Sequence, residues 1–295
     1  LSESGPRQRG LAAHLQKGLA PYLLTLPGVA WLLLFFAIPM VTMLSVSFQE
    51  GTLESGFRFT GNWRNYTDAF SQHSTQIVRS LIYALIVTVV TLLLSYPVAY
   101  WIAFRAGRRK NLYLLLLLLP FFTPFLIRTL SWRFVLADTG IILGTLKDFG
   151  LLGDDFRVLA TPFAVLAGMT YNFLPFMALP VYVALERLDP SLLEAANDLY
   201  ADRRKAFLKV TFPLSMPGVF AGSLLTFIPV VGDFIDAELL GSPQTTMVGN
   251  VIEREFTDSF NYPEGAALSF LLMIGILVGV AWYARWSGTE ELTGS

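Results

Sequence analysis

"LLEAANDLYADRRKAFLKVTFPLSMPG", residues 192–218, is a polar island in a very apolar chain. It holds Glu194, Asp198, Asp202, Arg203, Arg204, Lys205 and Lys209, yet apolar runs flank it on both sides. Of 295 residues, 54% are hydrophobic and 15% charged, with a mean hydropathy of +0.56. Soluble domains carry about 25% charged residues. The flanking runs therefore read as membrane spans, and the island as a segment between two of them. The net charge of −1 excludes a generally basic nucleic-acid binder. The absence of cysteine removes disulfides, thiolate nucleophiles and Cys-held metals. His14 and His73 lie far apart in polar segments, so no His-rich metal site is expected.

A spanning helix needs about 20 mostly apolar residues. Six segments qualify: residues 22–48, 78–104, 112–136, 159–185, 217–234 and 266–286. The first is too long for a cleaved signal peptide and lacks a convincing small-residue cleavage site. The expected fold is all-α integral membrane. Segment 1–21 precedes a six-helix domain over 22–286, which contains the polar loop 186–213, and a tail follows at 287–295. The chain opens on Leu1, which leaves its native start open, and the closing "TGS" is set aside from fold reasoning.

Placing the N-terminus inside puts 13 of the 21 Lys and Arg on the inner face, with "RAGRRK" and "ADRRK" beside span ends. That bias sets orientation. Both termini and the polar island are expected to be cytoplasmic. The outer connections are long enough to carry structure of their own. The third-to-fourth one, with Ile142, Leu146 and Phe149 at helical spacing, reads equally as a helix on the outer face or as a surface loop.

Asp189-Pro190 is a helix-start signal, an Asp cap before a first-turn proline. Leu192, Ala195, Ala196 and Leu199 then form one apolar face. Asp202 is placed to cap a second short helix, "RRKAFLKV", which Thr211-Phe212-Pro213 is expected to end. Periodicity leaves two uses open: sealing the base of its own bundle, or docking into a soluble partner. Gly218-x-x-x-Gly222 and Gly275-x-x-x-Gly279 match the close-packing pattern of membrane helices.

The island resembles a known signature. Glu194-Ala195-Ala196, then Tyr200, then Val210-Thr211-Phe212-Pro213 follow the spacing of the Glu-Ala-Ala loop of ABC importer permeases. That pattern carries Gly where this chain has Tyr200. Longer stretches, "LLPFFTPFLIRTLSW" and "YNFLPFMALPVYVALERLDPSLLEAA" above all, are similar to the first permease subunit of spermidine/putrescine-type importers. The resemblance implies a type I importer permease of the bacterial cytoplasmic membrane. It implies that Glu194, Ala195, Ala196, Leu199, Tyr200, Asp202 and Arg203 form a coupling element seated on an ATP-binding subunit. It also implies a second, homologous permease, two ATP-binding subunits and an extracytoplasmic solute-binding protein. No Gly-x-x-x-x-Gly-Lys-Ser/Thr loop occurs in the chain. ATP and Mg are therefore expected on the partners, and no cofactor or catalytic residue on this chain. Tyr200 is expected to take a negative-φ turn, because positive φ is uncommon for a bulky residue.

Ionisable residues in spans are functional candidates by default. Asp233, Asp236 and Glu238 cluster at the outer end of the fifth span, just past Pro229 and Gly232. They suit a di- or polyamine cation, or else form a solvated boundary. Tyr171, Phe173, Trp132, Phe121 and Phe122 are candidate cation–π partners, or lipid-facing and core residues. Pro120 and Pro124 predict a kink in the third span, either a packing kink or a gate. Arg128 and Arg133 are expected to meet outer acids or the binding protein. Other small solutes, and an ion-coupled carrier acting alone, remain the competing functions. An intramembrane enzyme lacks a Ser–His or paired-His constellation.

Overall fold

The computed structural model describes residues 25–153, 155–198 and 200–286. The segments 1–21 and 287–295, and Leu199, lie outside the described residues.

Helix α1 covers Thr25–Ser47 and exposes its apolar side chains, Trp31 and Phe36 among them. A two-stranded hairpin follows, β1 (Gln49–Glu50) against β2 (Arg58–Phe59), with Gln49 opposite Phe59. Asn65 Nδ2 donates to the Ser47 and Gln49 carbonyls at 2.9 and 2.8 Å, tying the hairpin to the next helix. That helix, α2 (Arg64–Arg105), has 42 residues. At 1.5 Å per residue it is about 63 Å long, roughly twice the hydrocarbon thickness. Its first turns therefore stand clear of the span expected at 78–104.

The third span is broken. Helix α3 (Lys110–Leu118) tightens into a 3₁₀ turn at Leu119–Phe122, and α4 (Phe125–Val135) leaves at 91°. Thr123 and Pro124 between them are extended, with ψ of 135° and 138°. Pro124 disfavours helical backbone at Thr123, and Pro120 takes a donor from the preceding turn. The two prolines thus make a right-angled break, not the kink expected from the sequence. Counting the broken pair as one span gives six.

Helix α5 (Ile141–Asp148) occupies the third-to-fourth connection; Leu143 is buried while Ile141, Ile142 and Phe149 are exposed. Helix α6 (Pro162–Glu186) starts on Thr161, whose side chain accepts from the Ala164 amide. Then comes α7 (Pro190–Asp198) in the polar island. Helix α8 runs Arg203–Val231 without interruption. This corrects the expected stop at Thr211-Phe212-Pro213. A π turn at Phe207–Thr211 widens the helix before Pro213, at the point where the proline ring would press on the preceding turn. The second short helix is thus the first part of the fifth span. Two short helices, α9 (Ile235–Leu240) and α10 (Val248–Thr257), precede α11 (Tyr262–Trp286).

Helices α2, α6 and α8 form the centre of the bundle. Val87, Met169, Phe173, Val230 and Leu240 fill one core; Ile102, Met177, Val181, Leu185 and Val219 fill another nearer the polar island. Gly218 and Gly222 set the α6–α8 approach. A Cβ on Gly218 would meet the Ala184 Cβ and the Pro180 carbonyl at 2.5 Å. Gly275 and Gly279 have nothing within 4 Å, so the second glycine pair packs against no described residue.

Candidate functional site

Two places carry the residues singled out in the sequence. The first is the polar island. Asp189 caps α7, its Oδ1 accepting from the Ser191 amide at 2.9 Å, and that bond holds the exposed carboxyl below the usual range. Asp202 caps α8, accepting from the Lys205 amide at 2.7 Å. Both caps match the sequence reading. Ala196 faces inward and is 8% exposed, whereas Leu192 and Ala195 on the same stripe are open. Glu194, Asp202 and Arg203 are exposed as well.

Tyr200 has φ of +58°, which overturns the expected negative-φ turn. The cause is the bond across the helix end. The Ala201 amide donates to the Ala196 carbonyl at 3.0 Å. This six-to-one closure requires left-handed backbone at the residue before the donor. Tyr200 fills that position, the one glycine favours, and its side chain is 95% exposed.

The second place lies at the far end of α8. A cavity of about 560 Å³ opens between the α3–α4 break, α6 and the end of α8. Its walls include Phe121, Phe122, Phe125, Phe173, Phe176 and Phe234. Four of these rings form an arc: Phe121 to Phe176 at 5.1 Å, Phe176 to Phe173 at 5.8 Å, Phe173 to Phe125 at 6.1 Å. Of the lining residues, Arg128 and Asp233 alone are ionisable.

Asp233 is 7% exposed. Gly232 ends α8, and Asp233 Oδ1 accepts from the Ile235 and Asp236 amides at 2.9 and 3.3 Å, starting α9. Its Oδ2 finds no donor among the described residues. Asp236 is fully buried and well bonded. Thr129 Oγ1 donates to its Oδ1 at 2.7 Å, and Asn172 Nδ2 donates to its two oxygens at 2.9 and 3.0 Å. Asn172 Oδ1 in turn accepts from Arg128 Nε at 2.6 Å. A neutral amide thus relays between a buried guanidinium and a buried carboxylate, joining α4, α6 and α9.

The expected cluster of three acids is therefore split. Asp233 lines the cavity, and Asp236 is scaffold behind it. Glu238 points away, 59% exposed, paired with Arg254 at 3.1 Å. Phe173 and Phe121 join the cavity wall. Trp132 and Tyr171, 5.3 Å apart and edge-on, line a second cavity of about 330 Å³ that shares Thr123 and Arg128 with the first. Arg128 is 8% exposed and turned inward, not toward outer acids, while Arg133 is exposed. The sequence reading missed Asn172, Thr129, Phe125 and Phe176. Asn172 had a signal: a lone amide within the apolar run "GMTYNFLPFMALP".

Comparisons with known proteins fit this architecture. The profile of the family described as "Binding-protein-dependent transport system inner membrane component" matches residues 95–287. The chain is 40% identical to the spermidine/putrescine transport system permease protein PotB of Haemophilus influenzae, over 87% of this chain and 90% of that one. It is 36% identical to the Escherichia coli protein of the same name, over 87% and 94%. Among solved structures it is similar to a bacterial ABC transporter that imports the acidic polysaccharide alginate, with TM-score 0.74, 19% identity and coverage of 96% and 99%. A second structure of an alginate transporter, in complex with a periplasmic protein bound to alginate pentasaccharide, aligns with TM-score 0.73 and 19% identity over 95% of this chain and 99% of that one. At that identity the likeness is one of fold. A profile match over most of the chain and relatives above 30% identity place it: the chain belongs to the family of multi-pass inner-membrane permease components of binding-protein-dependent transport systems.

Proposed function

We propose that this chain forms half of the translocation path of an ATP-driven polyamine importer. The observation that carries the cargo is Asp233. It is the one acid among the residues lining a cavity walled by phenylalanine rings. Asp236 lies beside it, so two carboxyls share one buried corner. Like charges at close range are unfavourable. A cationic cargo in the cavity relieves the repulsion. The ring faces add cation–π attraction of about 0.5–2 kcal/mol each. The printed names of the PotB relatives agree with such a cargo.

The segment 186–213 is proposed as the coupling element on a partner ATPase, with both termini of domain 22–286 on the cytoplasmic side. Glu194, Ala195 and the Tyr200 ring stand open for that contact. ATP and Mg are proposed to bind the partner subunits and not this chain. A second permease completes the path, and a solute-binding protein delivers cargo, as a periplasmic protein is seen bound to the similar alginate transporter.

Reconstitution of the complete importer tests the reading. ATP hydrolysis and uptake are measured with binding protein loaded with spermidine, putrescine or a control amino acid. Stimulation by a polyamine alone is expected. No response to any polyamine would sink the cargo assignment and leave an importer of another solute.

A further inference from the structure

Arg128 is a resident cation in a cavity read as a path for cations. Its guanidinium carbon lies 5.3 Å from the centre of the Phe121 ring and 5.5 Å from that of Phe125. Both rings face the cavity that Asp233 lines. Among the described residues no carboxylate forms an ion pair with Arg128. It is held by the Asn172 amide oxygen and, through Nη1 at 3.2 Å, by the Pro120 carbonyl.

We propose that Arg128 is a tethered occupant of the cation subsite, filling the place beside Phe121 and Phe125 that an ammonium group of the cargo takes in passage. The inference rests on the polyamine reading above. Three features favour an exchange over a fixed structural role. The guanidinium is held by neutral groups and ring faces, and parting a buried direct ion pair would be far harder. An arginine can swing its head on a flexible stem while the stem stays packed. The bond to Pro120 also spans the 91° break between α3 and α4. Displacing Arg128 therefore unties the two halves of the broken span, so the arrival of cargo is linked to a change at the bend. An empty path keeps its aromatic subsite filled by a charge that cannot leave.

The test uses the assembled importer in detergent, without binding protein, and follows thermal unfolding against spermidine concentration. Arg128→Gln removes the competing charge, so half-saturation should fall at least about fivefold below wild type. Arg128→Ala opens the subsite, and methylguanidinium should then raise its Tm but not that of wild type. If wild type responds to spermidine and Arg128→Gln binds no more tightly, the tethered-occupant inference is overturned and the polyamine reading survives. If no form responds to spermidine while methylguanidinium stabilises Arg128→Ala, the subsite is real and the cargo reading fails. If Arg128→Gln does not assemble, Arg128→Ala decides, and a Tm that methylguanidinium does not raise overturns the inference.

Discussion

The two ends of this bundle treat charge in opposite ways. At the polar island Glu194, Asp202, Arg203, Arg204 and Lys205 stand in the open, and the bonds there are local caps between neighbours in sequence. At the far end of α8, Arg128, Asp233 and Asp236 are buried; Asp233 caps α9 locally, while bonds from Arg128 and Asp236 reach residues 44 to 107 positions away. Exposed charge costs little to keep and is free to meet a partner. Buried charge persists only when hydrogen bonds or a partner charge hold it. The island therefore has the physics of a docking surface. The buried site has the physics of a preset cavity, with one carboxylate oxygen left over.

Substitutions can break this contrast. Asp236→Ala should have the largest effect, because it strands the buried Asn172 and Thr129 donors. A loss of about 3 kcal/mol is expected, seen as a lower Tm and little assembled complex. Gly218→Leu should come next, near 2 kcal/mol from overpacking against Ala184 and Pro180. Gly275→Leu, at a site with nothing within 4 Å, should leave Tm unchanged. Glu194→Lys should not alter Tm at all, yet cut uptake about tenfold while ATP hydrolysis continues, because it reverses a charge at the docking surface. Unchanged transport would remove the island from coupling. Tyr200→Gly should have a small effect, relieving a left-handed residue by about 1 kcal/mol or less. Its informative readout is the affinity of the ATPase subunit, which should drop if the exposed ring is part of the contact.

The same contrast explains what was legible in the sequence. Asp189-Pro190 and Asp202 act over two or three residues, so their helices could be read directly. Tyr200 was misread because the cost of positive φ in a bulky residue was weighed without the Ala201–Ala196 bond that imposes it. Pro120 and Pro124 announced a disturbance, but a right angle depends on the 3₁₀ turn and the two extended residues acting together. Pro213 looked like a helix end because the π turn that accommodates it leaves no mark in the periodicity. The Arg128–Asn172–Asp236 relay was invisible because its members sit on three helices far apart in the chain. The acids at 233, 236 and 238 form one cluster in the sequence, with Asp233 the leading candidate, yet the turn at Gly232 and the start of α9 send them in three directions.

The most direct test of the account is spermidine uptake by the reconstituted importer carrying Asp233→Asn, with assembly measured on the same preparation. The account predicts an intact complex and uptake lowered about tenfold or more, because Asp233 is the one acid in the cavity wall. Undiminished uptake, or a loss that only follows lost assembly, would contradict it.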